Sequence, residues 1–167
     1  KQKKVSNMSV IALELSNNTL EIMLGSQDFF EKKLDGEVNM TTASRETGST
    51  LKPFLFALAL ENGMTPLSIV RDERQSFLTD SGSYSPRNFE PTREHGAVRF
   101  REALANSYNI AAVDLLSKLG TSKFQNFLTK VGIQTEKKDS QDLSMILGTA
   151  ESSLLRLTKA YSIFPQN

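Results

Sequence analysis

Gly48-Ser49-Thr50-Leu51-Lys52-Pro53-Phe54-Leu55-Phe56-Ala57-Leu58-Ala59-Leu60-Glu61-Asn62-Gly63 is the stretch on which the reading of this chain turns. It predicts a helix. Ser49 suits the capping position at its start. Pro53 falls in the first turn, where a missing N–H is tolerated, and Gly63 supplies the stop. Apolar residues run nearly all round, so the helix is expected to be buried against other elements. Ser49 and Lys52 lie three residues apart and share a face. A serine hydroxyl is a weak nucleophile until a base takes its proton. A lysine amine can be that base once burial or nearby positive charge lowers its pKa, and this apolar helix offers burial. Backbone N–H groups at the helix start can stabilise a developing oxyanion. Ser49 is the only serine in the chain with a lysine three residues later. Taken alone, the pair reads as a capping serine and a surface lysine.

Working outward, Ser107-Tyr108-Asn109 falls between two further predicted helices, Val98 to Ala105 and Ile110 to Leu119. A hydroxyl and an amide on one turn can relay a proton and hold a substrate amide. The plain alternative is a turn with Asn109 as a helix cap and Gly120 as the stop. A second Ser-x-Asn, Ser16-Asn17-Asn18, needs no function, because it lies in the turn of a hairpin. The alternation of Val10, Ala12, Leu13 and Leu15 before it, and of Leu20, Ile22 and Leu24 after it, predicts two antiparallel strands. Thr121 to Val131 and Leu154 to Phe164 predict two more helices. Asp28 to Thr47 reads as a long loop, or a short helix and a loop. Asp72 to Glu94 reads as surface loop or very short strands. His95 is expected on the surface, and Glu102 and Asp114 on helix faces turned to solvent. The fold class is α+β, a mainly helical body with a small antiparallel sheet.

Composition narrows the function. The 167 residues match one ordinary domain. A net charge of +1 argues against a chain built for nucleic acid. With no cysteine, disulfide scaffolds, thiolate zinc sites and cysteine nucleophiles are excluded, and a single histidine rules out a multi-histidine metal site. No apolar run of about 18 residues is present. The opening Lys1-Gln2-Lys3-Lys4 and the closing Phe164-Pro165-Gln166-Asn167 do not look like natural termini, so a segment of a longer protein is expected.

Arg45-Glu46-Thr47-Gly48-Ser49-Thr50-Leu51-Lys52-Pro53-Phe54 resembles the stretch around the active serine of class A penicillin-binding proteins. Arg101-Glu102-Ala103-Leu104-Ala105-Asn106-Ser107-Tyr108-Asn109-Ile110-Ala111-Ala112-Val113 resembles their second motif segment. Gly25-Ser26-Gln27-Asp28-Phe29-Phe30, Tyr84-Ser85-Pro86-Arg87-Asn88-Phe89 and Leu147-Gly148-Thr149-Ala150-Glu151-Ser152-Ser153-Leu154-Leu155 also fit, and the closest flavour is the 1C-type branch. The resemblance covers nearly the whole chain in the expected order. It implies the β-lactamase/transpeptidase-like fold, a helical body packed on an antiparallel sheet, with residues 1–167 forming part of one transpeptidase domain.

For activity the resemblance implies D,D-transpeptidation of peptidoglycan stem peptides. Ser49 would be the nucleophile acylated by substrate or by a β-lactam, and Lys52 its base. Ser107 would pass the proton to the leaving D-alanine, and Asn109 would hold the substrate amide and position Lys52. No cofactor or metal is implied. The family works outside the cytoplasm, so an extracytoplasmic location is expected, with the parent protein membrane-anchored outside this chain. One feature departs from the family: its third motif, Lys-Thr/Ser-Gly, is absent from this sequence. Lys130-Val131-Gly132 is no substitute, since it ends a predicted helix. The missing strand would supply an oxyanion donor and the groups for the substrate carboxylate. The family's later strands are expected beyond Asn167, and its glycosyltransferase domain ahead of Lys1. A degenerate domain with a cell-wall binding or structural role stays open as an alternative. So does a β-lactamase or carboxypeptidase, although no glutamate in a recognisable deacylating loop is seen.

Overall fold

The computed structural model describes residues 6–79, 82–134 and 142–165. The chain separates into two compact units, Lys1–Arg45 with Lys130–Glu136 and Glu151–Asn167, and Glu46–Thr129 with Lys137–Ala150. In chain order the elements are strands β1 (Val10–Glu14), β2 (Thr19–Leu24) and β3 (Arg45–Glu46), helix α1 (Lys52–Glu61), strands β4 (Ile69–Asp72), β5 (Phe77–Thr79), β6 (Gly82–Tyr84) and β7 (Gly96–Arg99), helices α2 (Phe100–Ala105), α3 (Asn109–Leu119) and α4 (Thr121–Lys130), strand β8 (Glu151–Ser152) and helix α5 (Leu154–Tyr161). This mixture of helix and antiparallel sheet is the expected α+β class.

The first unit carries the hairpin expected from the alternating apolar residues. β1 and β2 pair antiparallel with Val10 opposite Leu24 and Leu13 opposite Leu20, and the register shifts between Ala12 and Leu13. Asn17 ties the turn by accepting the Thr19 N–H at 2.8 Å, and Asn18 takes a left-handed φ of 58°. α5 packs against β1. Ser153 caps it by accepting the Arg156 N–H, and it ends at Tyr161 rather than running on to Phe164. From Gly25 to Ser44 the chain is loop, with one short 3-10 turn at Lys32–Leu34.

The second unit is organised around α1. Leu51, Phe54, Leu55, Phe56, Leu58 and Ala59 are buried, together with Ile110 to Val113, Leu115 and Leu116 of α3 and Phe100 of α2. α1 packs on both α2 and α3, and the Phe56 and Phe100 rings meet at 4.6 Å. Each large side chain fully buried contributes on the order of 1.5–3 kcal/mol, so this helix anchors the unit. β4 and β7 pair antiparallel with Val70 opposite Val98 and Asp72 opposite Gly96, and α3 lies against β4. β5 and β6 form a second small hairpin.

Several expectations are corrected. Gly48 to Leu51 form a 3-10 turn before α1, and the Ser49 side chain caps nothing. Gly48 adopts a φ of 56°, which bends the chain into that turn. Pro53 does sit in the first turn of α1, and Gly63 follows its end with a φ of 89°. Val98 and Arg99 belong to β7, so the helix predicted from Val98 begins at Phe100. Asn109 is the first residue of α3, not its cap. The span 72–94 does contain very short strands, but not all of it is surface: Asp72 and Asn88 are buried. Asp114 is buried too, holding Lys118 Nζ at 2.5 Å and Gln75 at 3.2 Å. Glu102 is exposed as expected, and it receives the Arg99 N–H at the start of α2.

Candidate active site

Lys52 is the first residue of α1 and only 1% exposed. A buried ammonium has to be hydrogen-bonded, and this one is. Its Nζ donates to the Ser107 carbonyl at 2.7 Å, to Ser107 Oγ at 2.9 Å and to Asn109 Oδ1 at 2.6 Å. An ammonium has three N–H groups, so all of them are used. Ser107 reaches Nζ with both its carbonyl and its hydroxyl from a left-handed φ of 55°. That is an uncommon conformation for a residue with a side chain. Burial lowers the Lys52 pKa from its ordinary 10.5 to about 8, and the charge of Asp72 opposes part of that fall.

Three of the four residues singled out in the sequence, Lys52, Ser107 and Asn109, thus converge on one nitrogen. Ser49 stands apart from this cluster. It lies one turn before Lys52 and its carbonyl accepts the Lys52 backbone N–H, but its side chain is exposed and, among the described residues, no hydrogen bond joins its hydroxyl to the Lys52 amine. Among the described residues, neither its hydroxyl nor its backbone N–H has a hydrogen-bond partner. The unpaired N–H is what the start of a helical segment leaves over. The 3-10 turn holding Ser49 packs against a second 3-10 turn, Leu143–Leu147. Thr47, just ahead of it, donates its N–H at 3.0 Å and its hydroxyl at 2.9 Å to the Ala150 carbonyl.

Sequence reasoning missed a layer behind the Ser107–Asn109 turn. Asp72 is wholly buried. Its Oδ2 accepts from Asn88 Nδ2 at 2.8 Å, from the His95 N–H at 3.1 Å and from His95 Nδ1 at 2.6 Å, and its Oδ1 accepts from the Ala111 N–H at 3.3 Å. His95 is therefore not a free surface histidine, and its ring stacks on Tyr108 with centroids 3.9 Å apart and planes 13° from parallel. Asn88 turns its Oδ1 to the N–H groups of Asn109 and Ile110, and Arg87 accepts from Asn109 Nδ2 at 2.9 Å. The signal for Asn88 lay in the family-like stretch Tyr84 to Phe89. Asp72 and His95 gave none. A cavity of about 300 Å³ opens beside Ser107, walled by Tyr108, His95, Asn88, Arg93 and Phe89. Among the described residues no group of acidic or histidine side chains is arranged to hold a metal ion.

This geometry coincides with a family match: the penicillin binding protein transpeptidase domain matches residues 8–163. The chain belongs to that family. Penicillin-binding protein 1A of Neisseria meningitidis serogroup A / serotype 4A (strain DSM 15465 / Z2491) is 30% identical over 166 residues, which is 98% of this chain and 20% of the relative. Penicillin-binding protein 1C of Escherichia coli (strain K12) is 32% identical over 165 residues, 97% of this chain and 21% of the relative. Relatives named 1A and 1C thus match at similar identity. The chain spans about a fifth of the length of these curated relatives. Among solved structures, penicillin-binding protein 1A from Haemophilus influenzae superposes with a TM-score of 0.82 at 28% identity, over 95% of this chain and 23% of that one. PonA1 from Mycobacterium tuberculosis shares the fold, with a TM-score of 0.75 at 21% identity, over 92% of this chain and 41% of that one. The transpeptidase-like fold expected from the sequence is therefore the fold of this chain. Among the described residues no helix is long and apolar enough to cross a membrane.

Proposed function

We propose that this chain supplies the serine, lysine and Ser-x-Asn portion of a D,D-transpeptidase site that cross-links peptidoglycan stem peptides through an acyl-serine. The observation that carries the reading is the convergence of Ser107 and Asn109 on the buried Lys52 amine, one turn after an unencumbered Ser49. With its pKa near 8, Lys52 is neutral in a useful fraction of molecules around neutral to mildly alkaline pH. A neutral amine keeps two N–H groups and one lone pair. The oxygens of the Ser107 carbonyl and the Asn109 amide cannot donate to that lone pair, whereas the Ser107 hydroxyl can turn round to do so.

In the reaction, Ser49 Oγ attacks the penultimate D-alanine carbonyl while its proton passes to Lys52. The tetrahedral intermediate collapses as the C–N bond breaks, Ser107 delivering its proton to the departing D-alanine amine and taking in return the proton that Lys52 holds. The amine of a second stem peptide then attacks the acyl carbon, loses its proton to the same relay, and releases Ser49. A β-lactam offers its ring amide to Ser49 in the same way, and its nitrogen stays tethered after the ring opens. Asn109 has one Nδ2 proton on Arg87 and a second for a substrate carbonyl. The substrates lie outside the cytoplasm, so the site works there, carried by a membrane-anchored parent protein.

The test is covalent labelling of the intact protein with a fluorescent penicillin. A stable adduct lost in Ser49→Ala is expected. An intact, folded protein that forms no adduct would sink the reading, and an adduct that hydrolyses rapidly would point to a β-lactamase instead.

A further inference from the structure

We propose that Asp72 is a positioning residue of this site, fixing the Ser107–Asn109 turn around Lys52 through two arms, His95 stacked on Tyr108 and Asn88 bound to the start of α3. The activity half of this proposal rests on Lys52 acting as the base.

Asp72 ends β4 opposite Gly96, and the pairing of β4 with β7 brings His95 to it. The His95 N–H reaches both the Asp72 backbone carbonyl and Oδ2 at 3.1 Å. The carboxylate accepts from His95 Nδ1 as well, so the ring orientation is set by Asp72. That ring presses flat on Tyr108, the middle residue of the turn. The second arm begins at Asn88. Donation from Asn88 Nδ2 to Asp72 settles which way its amide faces, leaving Oδ1 for the Asn109 and Ile110 N–H groups. The two arms thus grip Tyr108 and Asn109, and Ser107 is covalently next to them.

The turn needs such a grip. All three acceptors of the Lys52 amine belong to Ser107 and Asn109, and Ser107 holds a left-handed φ of 55° in which a Cβ crowds the backbone. A backbone in that state persists only where its surroundings over-determine it. The charged and titratable groups around the network are Asp72 on β4, Lys52 on α1, His95 ahead of β7 and Tyr108 ahead of α3. Beyond Asn88, Arg93 pairs with Glu90 at 3.4 Å, and Glu94 pairs with Arg74 at 3.1 Å. Both of those carboxylates are thereby engaged with arginines, so Asp72 is the negative charge that bears on Lys52.

The experiment uses the intact protein, labelled with lysine carrying ¹³C at Cε, the Lys52 signal being assigned by its loss in Lys52→Arg. Its titration is followed in the parent, Asp72→Asn and His95→Gln, and the pH profile of acylation by fluorescent penicillin is measured on the same three. Asp72→Asn is expected to move the Lys52 midpoint down by about half a pH unit or more. The rising limb of acylation should move down with it, and the plateau rate at high pH should fall about tenfold or more. A residue that merely supported the fold would lower the plateau without moving the limb. His95→Gln, which keeps a donor to Asp72 but loses the ring on Tyr108, is expected to slow the plateau and displace the Lys52 signal. A folded Asp72→Asn protein with an unchanged Lys52 midpoint overturns the proposal. If that variant does not fold, an unchanged Lys52 signal in His95→Gln overturns it. If the parent forms no adduct at all, the nucleophile reading fails while the Lys52 titration still decides this one.

Discussion

Asn88 caps a helix that starts 21 residues later: its Oδ1 accepts the Asn109 N–H at 2.8 Å and the Ile110 N–H at 3.3 Å. Tyr108, the residue before α3, has no capping group of its own. Asn88→Ala is expected to cost about 1–2 kcal/mol, the usual loss for a helix cap, read from urea unfolding. Asn88→Asp keeps the shape and the capping oxygen but sets a second carboxylate where Asn88 Nδ2 now donates to Asp72 at 2.8 Å. At pH 7 it should be more destabilising than alanine, and the difference should shrink as the solution is acidified.

Gly148 offers a second test. A Cβ built there would lie 2.5 Å from the Gly48 Cα and 2.7 Å from its nitrogen, and Gly148 has a φ of 120°. Both obstacles are backbone, so Gly148→Ala must push the segment carrying Ser49. A loss of about 1–3 kcal/mol in urea unfolding is expected, together with slower labelling by fluorescent penicillin. Gly48→Ala meets no atom within 4 Å and carries only the cost of its φ of 56°, so it should be the milder of the two.

The alkaline behaviour follows from Lys52. Its folded pKa near 8 lies below the ordinary 10.5, so between those values the unfolded chain holds the extra proton. Stability should therefore rise with pH across that window, with the desolvation penalty fully present below pH 8 and gone above about 10.5. Urea midpoints measured from pH 7.5 to 10 check the sign, and Lys52→Met should flatten the trend. Over the same range acylation should climb through a limb near pH 8. Lys52→Arg, which cannot lose its proton, should abolish labelling at every pH.

Ser49→Ala separates chemistry from folding. The side chain is exposed and has no hydrogen-bond partner among the described residues, so the change should leave stability within about 0.5 kcal/mol while removing the penicillin adduct. Thermal unfolding and gel fluorescence on one preparation check both halves.

Much of this was legible in the sequence for identifiable reasons. α1 showed itself because its apolar run, its early proline and its closing glycine are all local signals. Lys52 stood out as a charge with no solvent face, and the hairpin because Leu20, Ile22 and Leu24 alternate across a polar turn. What stayed hidden was non-local. β4 has only four residues, Ile69 to Asp72, too few for a pattern, and its partner lies beyond a stretch of turns. Asp72 and His95 are 23 residues apart, and Asn88 is 21 from Asn109. A carboxylate flanked by Arg71, Glu73 and Arg74 looks solvated until the strand pairing closes over it. Asparagine is so often a helix cap that the local sequence around Asn109 reads as one, and only the resemblance points to a bond with Lys52. Its side chain is committed to Lys52 and Arg87.

The three bonds from the Lys52 nitrogen also fasten the start of α1 to the segment leading into α3. On the proposed mechanism, architecture and catalysis make separate claims on the same amine, while the Ser49 side chain answers to catalysis alone. A lineage that abandoned acyl transfer would still be selected to keep its lysine, and its serine would be the first of the pair to drift.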